Sequence, residues 1–226
     1  MLNRASKPFV KLVEKYLPDP YIFVLLLTLI TLVFAVVIQD QSPLTTVQQW
    51  GDGFWGLLTF SMQMLLVLVT GFMLACTPLV KTLLENLARL AKGPGSAIVL
   101  VTLVSLTASW INWGFGLVVG ALFAKALARK VSVDYRLLVA SAYSGFIVWH
   151  GGLAGSVPLT IATPGHFSEA QIGVIGTSET IFSGFNLLLL AIMFVVIPLV
   201  NRLMLPPKSE SVIVDSTKLQ DDALPS

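Results

Sequence analysis

The sequence predicts an all-α integral membrane fold of four transmembrane helices plus one re-entrant helical hairpin. Three observations predict it: an apolar composition, the length of the uncharged runs, and the placement of lysine and arginine. Of the 226 residues, 55% are hydrophobic and only 12% are charged, and the mean hydropathy is +0.84. A soluble domain carries about 25% charged residues, so this surface is not mostly wet.

The chain begins with an amphipathic, basic stretch, 1–20, carrying Arg4, Lys7, Lys11 and Lys15. Pro18-Asp19-Pro20 then introduces the first apolar run, 21–38. No small-residue cleavage pattern follows Ile38, so this run is expected to stay as an anchor. A bilayer core of about 30 Å takes roughly 20 apolar residues per helix. Runs at 56–79, 137–163 and 181–204 supply three further spans, and 97–124 is a fifth apolar segment. Between them, 81–91 has apolar residues at helical spacing with charges interleaved, the pattern of a helix lying along an interface. Residues 205–226 are polar and read as a cytoplasmic tail or linker without structure of its own.

Charge placement decides the path. All fourteen Lys and Arg fall in 1–20, 81–92, 125–136 and 202–218, and none falls in 39–55 or 164–180. If 97–124 crossed the membrane, the basic stretch 125–136 would lie outside. If it dips in and returns, all fourteen lie inside, as the positive-inside rule prefers. Twenty-eight residues suit a hairpin of two arms, each about 18 Å long, with its tip at 109–116 near mid-membrane. Both termini are then cytoplasmic, and the expected location is the bacterial cytoplasmic (inner) membrane. Basic residues at segment ends are topology signals, so nucleic acid is not an expected partner; membrane lipid is.

Two places break helical continuity. One is the hairpin tip, with Ser109, Trp110, Asn112, Trp113, Gly114 and Gly116; the other is 141–156, with Ser144, Trp149, His150, Gly151, Gly152, Gly155 and Ser156. An unpaired backbone group in hydrocarbon costs several kcal/mol, so such backbone survives only inside protein or beside a water-filled cavity. Paired broken helices with N-termini facing a solute are a usual anion and sodium site of secondary transporters. The candidate substrate-binding residues are therefore Ser109, Asn112, Trp113, Gly114, Gly116, Ser144, His150, Gly151, Gly152 and Ser156.

Each has a plainer reading. Gly114, Gly116 and Gly120 also suit close helix packing. Asn112 is either a ligand contact or an interhelical hydrogen-bonding residue. Trp113 and Trp149 either line a pocket or pack the core, whereas Trp50 and Trp55 fit an interface belt. Gly151, Gly152 and Gly155 either cradle a carboxylate with their N–H groups or merely kink a helix. His150, an ionisable side chain deep in a segment, either handles a carboxylate or proton or rests neutral at a cavity edge. His166 is expected in solvent, and Cys76 in packing.

No carboxylate lies inside the five segments, so a cation has no counter-charge and an acidic proton relay is unsupported. A small anion held by backbone N–H groups, Asn and Ser hydroxyls fits better. No cofactor is expected; Na+ or H+ is the candidate coupling ion. Phosphate-loop, zinc-pair and Cys/His motifs are absent, His150 has no carboxylate partner for a triad, and no metal site or enzyme activity is expected.

The strings Tyr16-Leu17-Pro18-Asp19-Pro20, Trp50-Gly51-Asp52-Gly53-Phe54-Trp55 and Ile111-Asn112-Trp113-Gly114-Phe115-Gly116 carry a resemblance. Gly151-Gly152, Gly155-Ser156, Ala162-Thr163-Pro164-Gly165 and Ser183-Gly184-Phe185-Asn186 extend it. Through them the chain resembles the bacterial short-chain fatty acid transporter family, in its N-terminal half only. The resemblance implies uptake of acetoacetate, butyrate and similar short monocarboxylates. It also implies one repeat of an inverted-repeat transporter of the ion-transporter superfamily, where hairpin and broken helix meet at the substrate. One repeat supplies half of such a site, so a separately encoded second half or a homo-oligomer is expected. The competing expectation is a truncated, non-transporting membrane protein or accessory subunit.

Overall fold

The computed structural model describes residues 19–56, 58–166, 168–215 and 219. The amphipathic stretch expected at the amino terminus falls on 1–18, outside the described residues, as do 216–218 and 220–226. Every regular element among the described residues is helical. Two compact units divide the chain between Leu66 and Val67.

The first unit holds α1 (Pro20–Ile38) and α2 (Pro43–Gly53). Asp19 starts α1: its carboxylate accepts the Tyr21 N–H at 2.8 Å, and Pro20 follows where no N–H is needed. None of the 19 residues of α1 is buried. Ser42 and Pro43 start α2 in the same manner, inside the connection 39–55, with Ser42 Oγ accepting the Thr45 N–H at 3.1 Å. Pro43, Thr46 and Val47 face Val33, Val36 and Val37 across an apolar groove of about 330 Å³. Trp50, Phe54 and Trp55 stack edge to face just beyond, all exposed.

α3 (Leu58–Ala75) leads into the second unit and gives way to α4 (Pro78–Ala88) across a bend of 65°. The apolar run 56–79 thus ends as a helix before Pro78, because proline disfavours helical backbone in the residue preceding it. Thr77 takes the N-cap of α4 instead. α4 buries Val80, Leu84 and Ala88, one face of the interleaved stretch.

The core of this unit is a helical hairpin, α5 (Pro94–Ile111) and α6 (Trp113–Lys130). The arms run antiparallel: Gly116 closes on Ser109, and Gly120 on Ser105. Ile98, Val101, Phe123 and Leu127 are fully buried between and beneath them. Each arm has 18 residues and is about 27 Å long. That is longer than the 18 Å expected, because α5 already begins at Pro94, a single residue, Asn112, makes the tip, and α6 runs on through Lys125, Arg129 and Lys130.

The next segment is broken as its glycines suggest: α7 (Tyr135–Ser144), a 3-10 helix (Gly145–Gly151) and α8 (Ser156–Ile161). After a short α9 (Glu169–Ile172), α10 (Gly184–Leu203) packs on α5, α7 and the 3-10 helix. By length and composition α1, α5, the stretch Tyr135–Ile161 and α10 are each able to cross a membrane, with the bent α3–α4 pair a fifth candidate.

The described part of the polar stretch after α10 is not loose. The Val212 N–H donates to Asp134 Oδ2 at 2.8 Å, and the Tyr135 N–H donates to the Val212 carbonyl at 2.9 Å. Arg136 reaches the Glu210 carbonyl at 3.2 Å, and Arg129 the Leu219 carbonyl at 3.0 Å. Low hydropathy alone marks a segment without a core of its own; here the end of α6, Asp134 and the start of α7 supply its hydrogen-bond partners.

Candidate functional site

One residue, Asn112, separates the two hairpin arms. Its backbone is extended (φ −154°, ψ 126°), so it ends α5 and begins α6. Its Oδ1 accepts the Phe115 N–H at 3.0 Å. This is an N-cap, a role the sequence reading did not consider for it. The first N–H groups of α6, with the positive end of its dipole, lie at this tip.

A helix that stops at Ile111 leaves its last carbonyls without partners in the next turn. The Trp110 carbonyl finds one in the second broken segment, accepting the Leu153 N–H at 2.7 Å. A Cβ on Gly152 would lie 2.5 Å from that same carbonyl and 3.0 Å from Trp110 Cα. Only glycine allows this approach, so the two breaks in the chain meet at one junction.

Aromatic rings cover one side of it. Trp113, at the start of α6, lies 5.4 Å from Trp149 and 6.2 Å from Phe146, ring centre to ring centre. Phe146 and Trp149 are three residues apart in the 3-10 helix, a spacing that superposes side chains, and Tyr143 precedes them by three at the end of α7. Phe146 lies 4.9 Å from Trp149 and 6.0 Å from Tyr143. His150 stacks on Trp149 at 4.2 Å, nearly parallel, and is exposed. Among the described residues, the indole N–H groups of Trp110 and Trp149 are buried with no acceptor. Among the described residues, the junction therefore sets N–H donors beside apolar rings, with no carboxylate among these groups, an arrangement chemically suited to an anion with a short apolar tail.

The predicted residues separate into groups. Asn112, Trp113, His150, Gly151 and Gly152 gather at or beside the junction. Gly114 and Gly116 are near it but packed: a Cβ on Gly114 would lie 3.0 Å from the Val67 carbonyl, and one on Gly116 2.5 Å from Ser109 Cα. Ser109 is buried under Gly116, its hydroxyl without a partner among the described residues. Ser156 starts α8, and its carbonyl accepts the Thr160 hydroxyl at 2.7 Å. Ser144 lies elsewhere, bonded to Asn201 at the level of Thr102, about 12 Å along α5 from Trp110. His166 organises its own loop, with Nδ1 accepting the Ser168 N–H at 3.2 Å.

Sequence reasoning missed three contributors. Asn186 donates to the Gly151 carbonyl at 3.0 Å. Asn201, only 9% exposed, donates to Thr102 and Ser144. Ser105 donates to the Ala142 carbonyl and lies against Gly120 and Gly145. The available signals were an amide inside an apolar run and hydroxyls at 102, 105 and 109, one face of α5. Among the described residues no three His, Cys, Asp or Glu come together as metal ligands would.

A family described as "Short chain fatty acid transporter" matches residues 1–224. A protein of Escherichia coli (strain K12) is 47% identical over 224 residues, covering 99% of this chain and 51% of its own length. One of Haemophilus influenzae is 43% identical over 230 residues, covering 98% of this chain and 52% of its own length. Both carry the name "Putative short-chain fatty acid transporter". This chain thus spans about half the length of the curated relatives it matches. No solved structure matches it.

Proposed function

Because this chain belongs to the short chain fatty acid transporter family, we propose that it forms one structural half of a secondary carrier for short monocarboxylates such as butyrate and acetoacetate. Transporter membership sets it apart from enzymes. The observation that carries the reading is the junction of Trp110 with Gly152 and Leu153, where two interrupted helices close on one another.

The N–H donors at the start of α6 and the indole N–H groups receive the carboxylate, and the rings of Trp113, Phe146 and Trp149 take the alkyl tail. Ser and Asn oxygens with free carbonyls serve Na+, or His150 carries H+, as the coupling ion. The hairpin enters and leaves on the cytoplasmic side of the inner membrane, with both termini there. The antiparallel arms support this, since they bring Pro94 and Lys130 to one end of the unit. The remainder of the site comes from a second half, corresponding to the part of the relatives that this chain does not match, because the relatives are about twice as long.

The test is uptake of labelled butyrate by cells lacking their own carrier. They express this chain alone, or together with the part of the Escherichia coli relative that it does not match. Uptake in either arm, abolished by Gly152→Leu without loss of the protein from the membrane, is the expected result. No uptake in both arms overturns the proposal and leaves a non-transporting membrane protein or accessory subunit.

A further inference from the structure

The 3-10 helix Gly145–Gly151 is held at both ends by a single partner, α10. At its beginning, Asn201 Nδ2 donates to Ser144 Oγ at 2.8 Å and to Thr102 Oγ1 on α5 at 3.0 Å. At its end, Asn186 Nδ2 donates to the Gly151 carbonyl at 3.0 Å and to the Ile181 carbonyl at 2.7 Å. Each amide spends one hydrogen on the 3-10 segment and the other on a neighbour outside it. The fit at Gly151 leaves no room for a side chain, since a Cβ there would lie 2.6 Å from Asn186 Oδ1.

Seven residues is a long run for this conformation. A 3-10 helix has poorer hydrogen-bond geometry than an α-helix and rarely extends past three or four residues. It also rises about 2.0 Å per residue against 1.5 Å, so the same seven residues recoiled as α-helix are about 3.5 Å shorter. That difference exceeds the length of the hydrogen bond between Trp110 and Leu153. Relaxation of the segment toward α-helix draws Gly152 and Leu153 off the hairpin tip; holding it stretched keeps them seated. A buried amide in an apolar helix is costly unless it is hydrogen-bonded, and both amides on α10 spend their donors at this segment's ends.

We infer that Asn186 and Asn201 are positioning residues for transport: together they hold the 3-10 segment stretched, and its recoil on losing a bracket is the step that parts the two broken helices. The inference rests on reading the Trp110–Leu153 junction as the transport site.

The reporter is a disulfide between Ile111→Cys and Leu153→Cys, both exposed positions, in a Cys76→Ala background, with the full chain in lipid nanodiscs. Oxidation links the pair readily when both brackets are present. Asn186→Leu and Asn201→Leu each slow linkage at least tenfold, as does Asn186→Asp, which keeps the shape and removes the donor. Asn201→Gln, which keeps the donor, restores linkage to within threefold. Should a leucine variant not insert, Ser144→Ala removes an acceptor of Asn201, together with the local Ser144 hydroxyl bond to the Ser141 carbonyl, and is expected to slow linkage severalfold. In butyrate uptake, the leucine variants raise KM tenfold or more at unchanged membrane abundance, and Asn201→Gln rescues it. Unchanged linkage in the Leu, Asp and Ser144→Ala variants overturns the inference. Slowed linkage with a KM equal to that of the unaltered chain overturns the transport role. Slowed linkage in a chain whose unaltered form imports nothing upholds the bracket and overturns the proposed function.

Discussion

The Leu153 N–H donates to the Trp110 carbonyl at 2.7 Å, joining two helix interruptions that lie far apart in the chain. Neither group has a partner in its own element, so each interruption satisfies the other. Backbone that would be costly alone becomes inexpensive as a pair.

Gly152 makes this possible, and its replacement is the most direct test of the junction. Gly152→Ala places a methyl 2.5 Å from the Trp110 carbonyl, where the neighbouring atoms are backbone and do not yield. A destabilisation of about 1–3 kcal/mol is expected, as for overpacked cores. Gly184→Ala, where nothing lies within 4 Å, is expected to change stability by less than about 0.5 kcal/mol. Thermal unfolding of the purified protein in detergent compares the two; equal effects mean the junction is not close-packed.

Asn112 separates capping from ligand contact. Loss of the bond to the Phe115 N–H in Asn112→Ala is expected to cost about 1 kcal/mol. Asn112→Ser keeps a cap and is expected to keep the stability. Butyrate uptake retained in Asn112→Ser assigns the residue to capping; uptake lost at full stability assigns its amide to the substrate.

Asp134 ties the stretch after α10 to the start of α7. Burial alone raises its pKa, but hydrogen bonds from the Val212 and Leu137 N–H groups and from Arg136 outweigh it and hold the carboxyl below the usual carboxylate range. A depressed folded-state pKa contributes stability above the ordinary value, near 3.8, and loses it as pH falls through the lower folded value. The attachment therefore holds across neutral and mildly acidic pH and releases only in strong acid. Asp134→Asn leaves donors facing a donor and costs about 1–3 kcal/mol. Trypsin cleavage after Lys208, exposed in this stretch, is expected to accelerate in the variant at neutral pH. Equal cleavage rates rule the attachment out.

The hairpin's sidedness is open to labelling. With Cys76 replaced by alanine, cysteines at Lys92 and Ser132, both exposed and flanking the hairpin, are expected to react from the cytoplasmic side with an impermeant maleimide. Labelling from opposite sides shows that the segment between them crosses once.

Much of the fold is legible along the chain. Helix starts are written in Asp19-Pro20, Ser42-Pro43 and Thr77-Pro78, where a capping oxygen precedes a residue with no N–H to satisfy. The break at Asn112 and the glycines at 151, 152 and 155 are visible because polar or side-chain-free residues interrupt apolar runs. Other features are not legible. Gly114, Gly116 and Gly152 look alike in sequence, yet the first packs on α3 at Val67, the second on Ser109 across the hairpin, and only the third seats on the Trp110 carbonyl at the junction. Asn186 and Asn201 bond partners 35 and 57 residues away, and no local periodicity encodes such a distance.

The sequence by itself determined the solvent this protein lives in, the number of apolar segments and two of the points where they break, at the hairpin tip and within 141–156, but not the bend before Pro78. Those follow from transfer of side chains out of water and from backbone geometry, both properties of short stretches. Only the tertiary structure decided that the breaks face one another, that α10 brackets the 3-10 segment, and that the stretch after α10 docks on Asp134. Each of those depends on which unpaired groups are brought within about 3 Å of one another, and packing of the whole unit sets that.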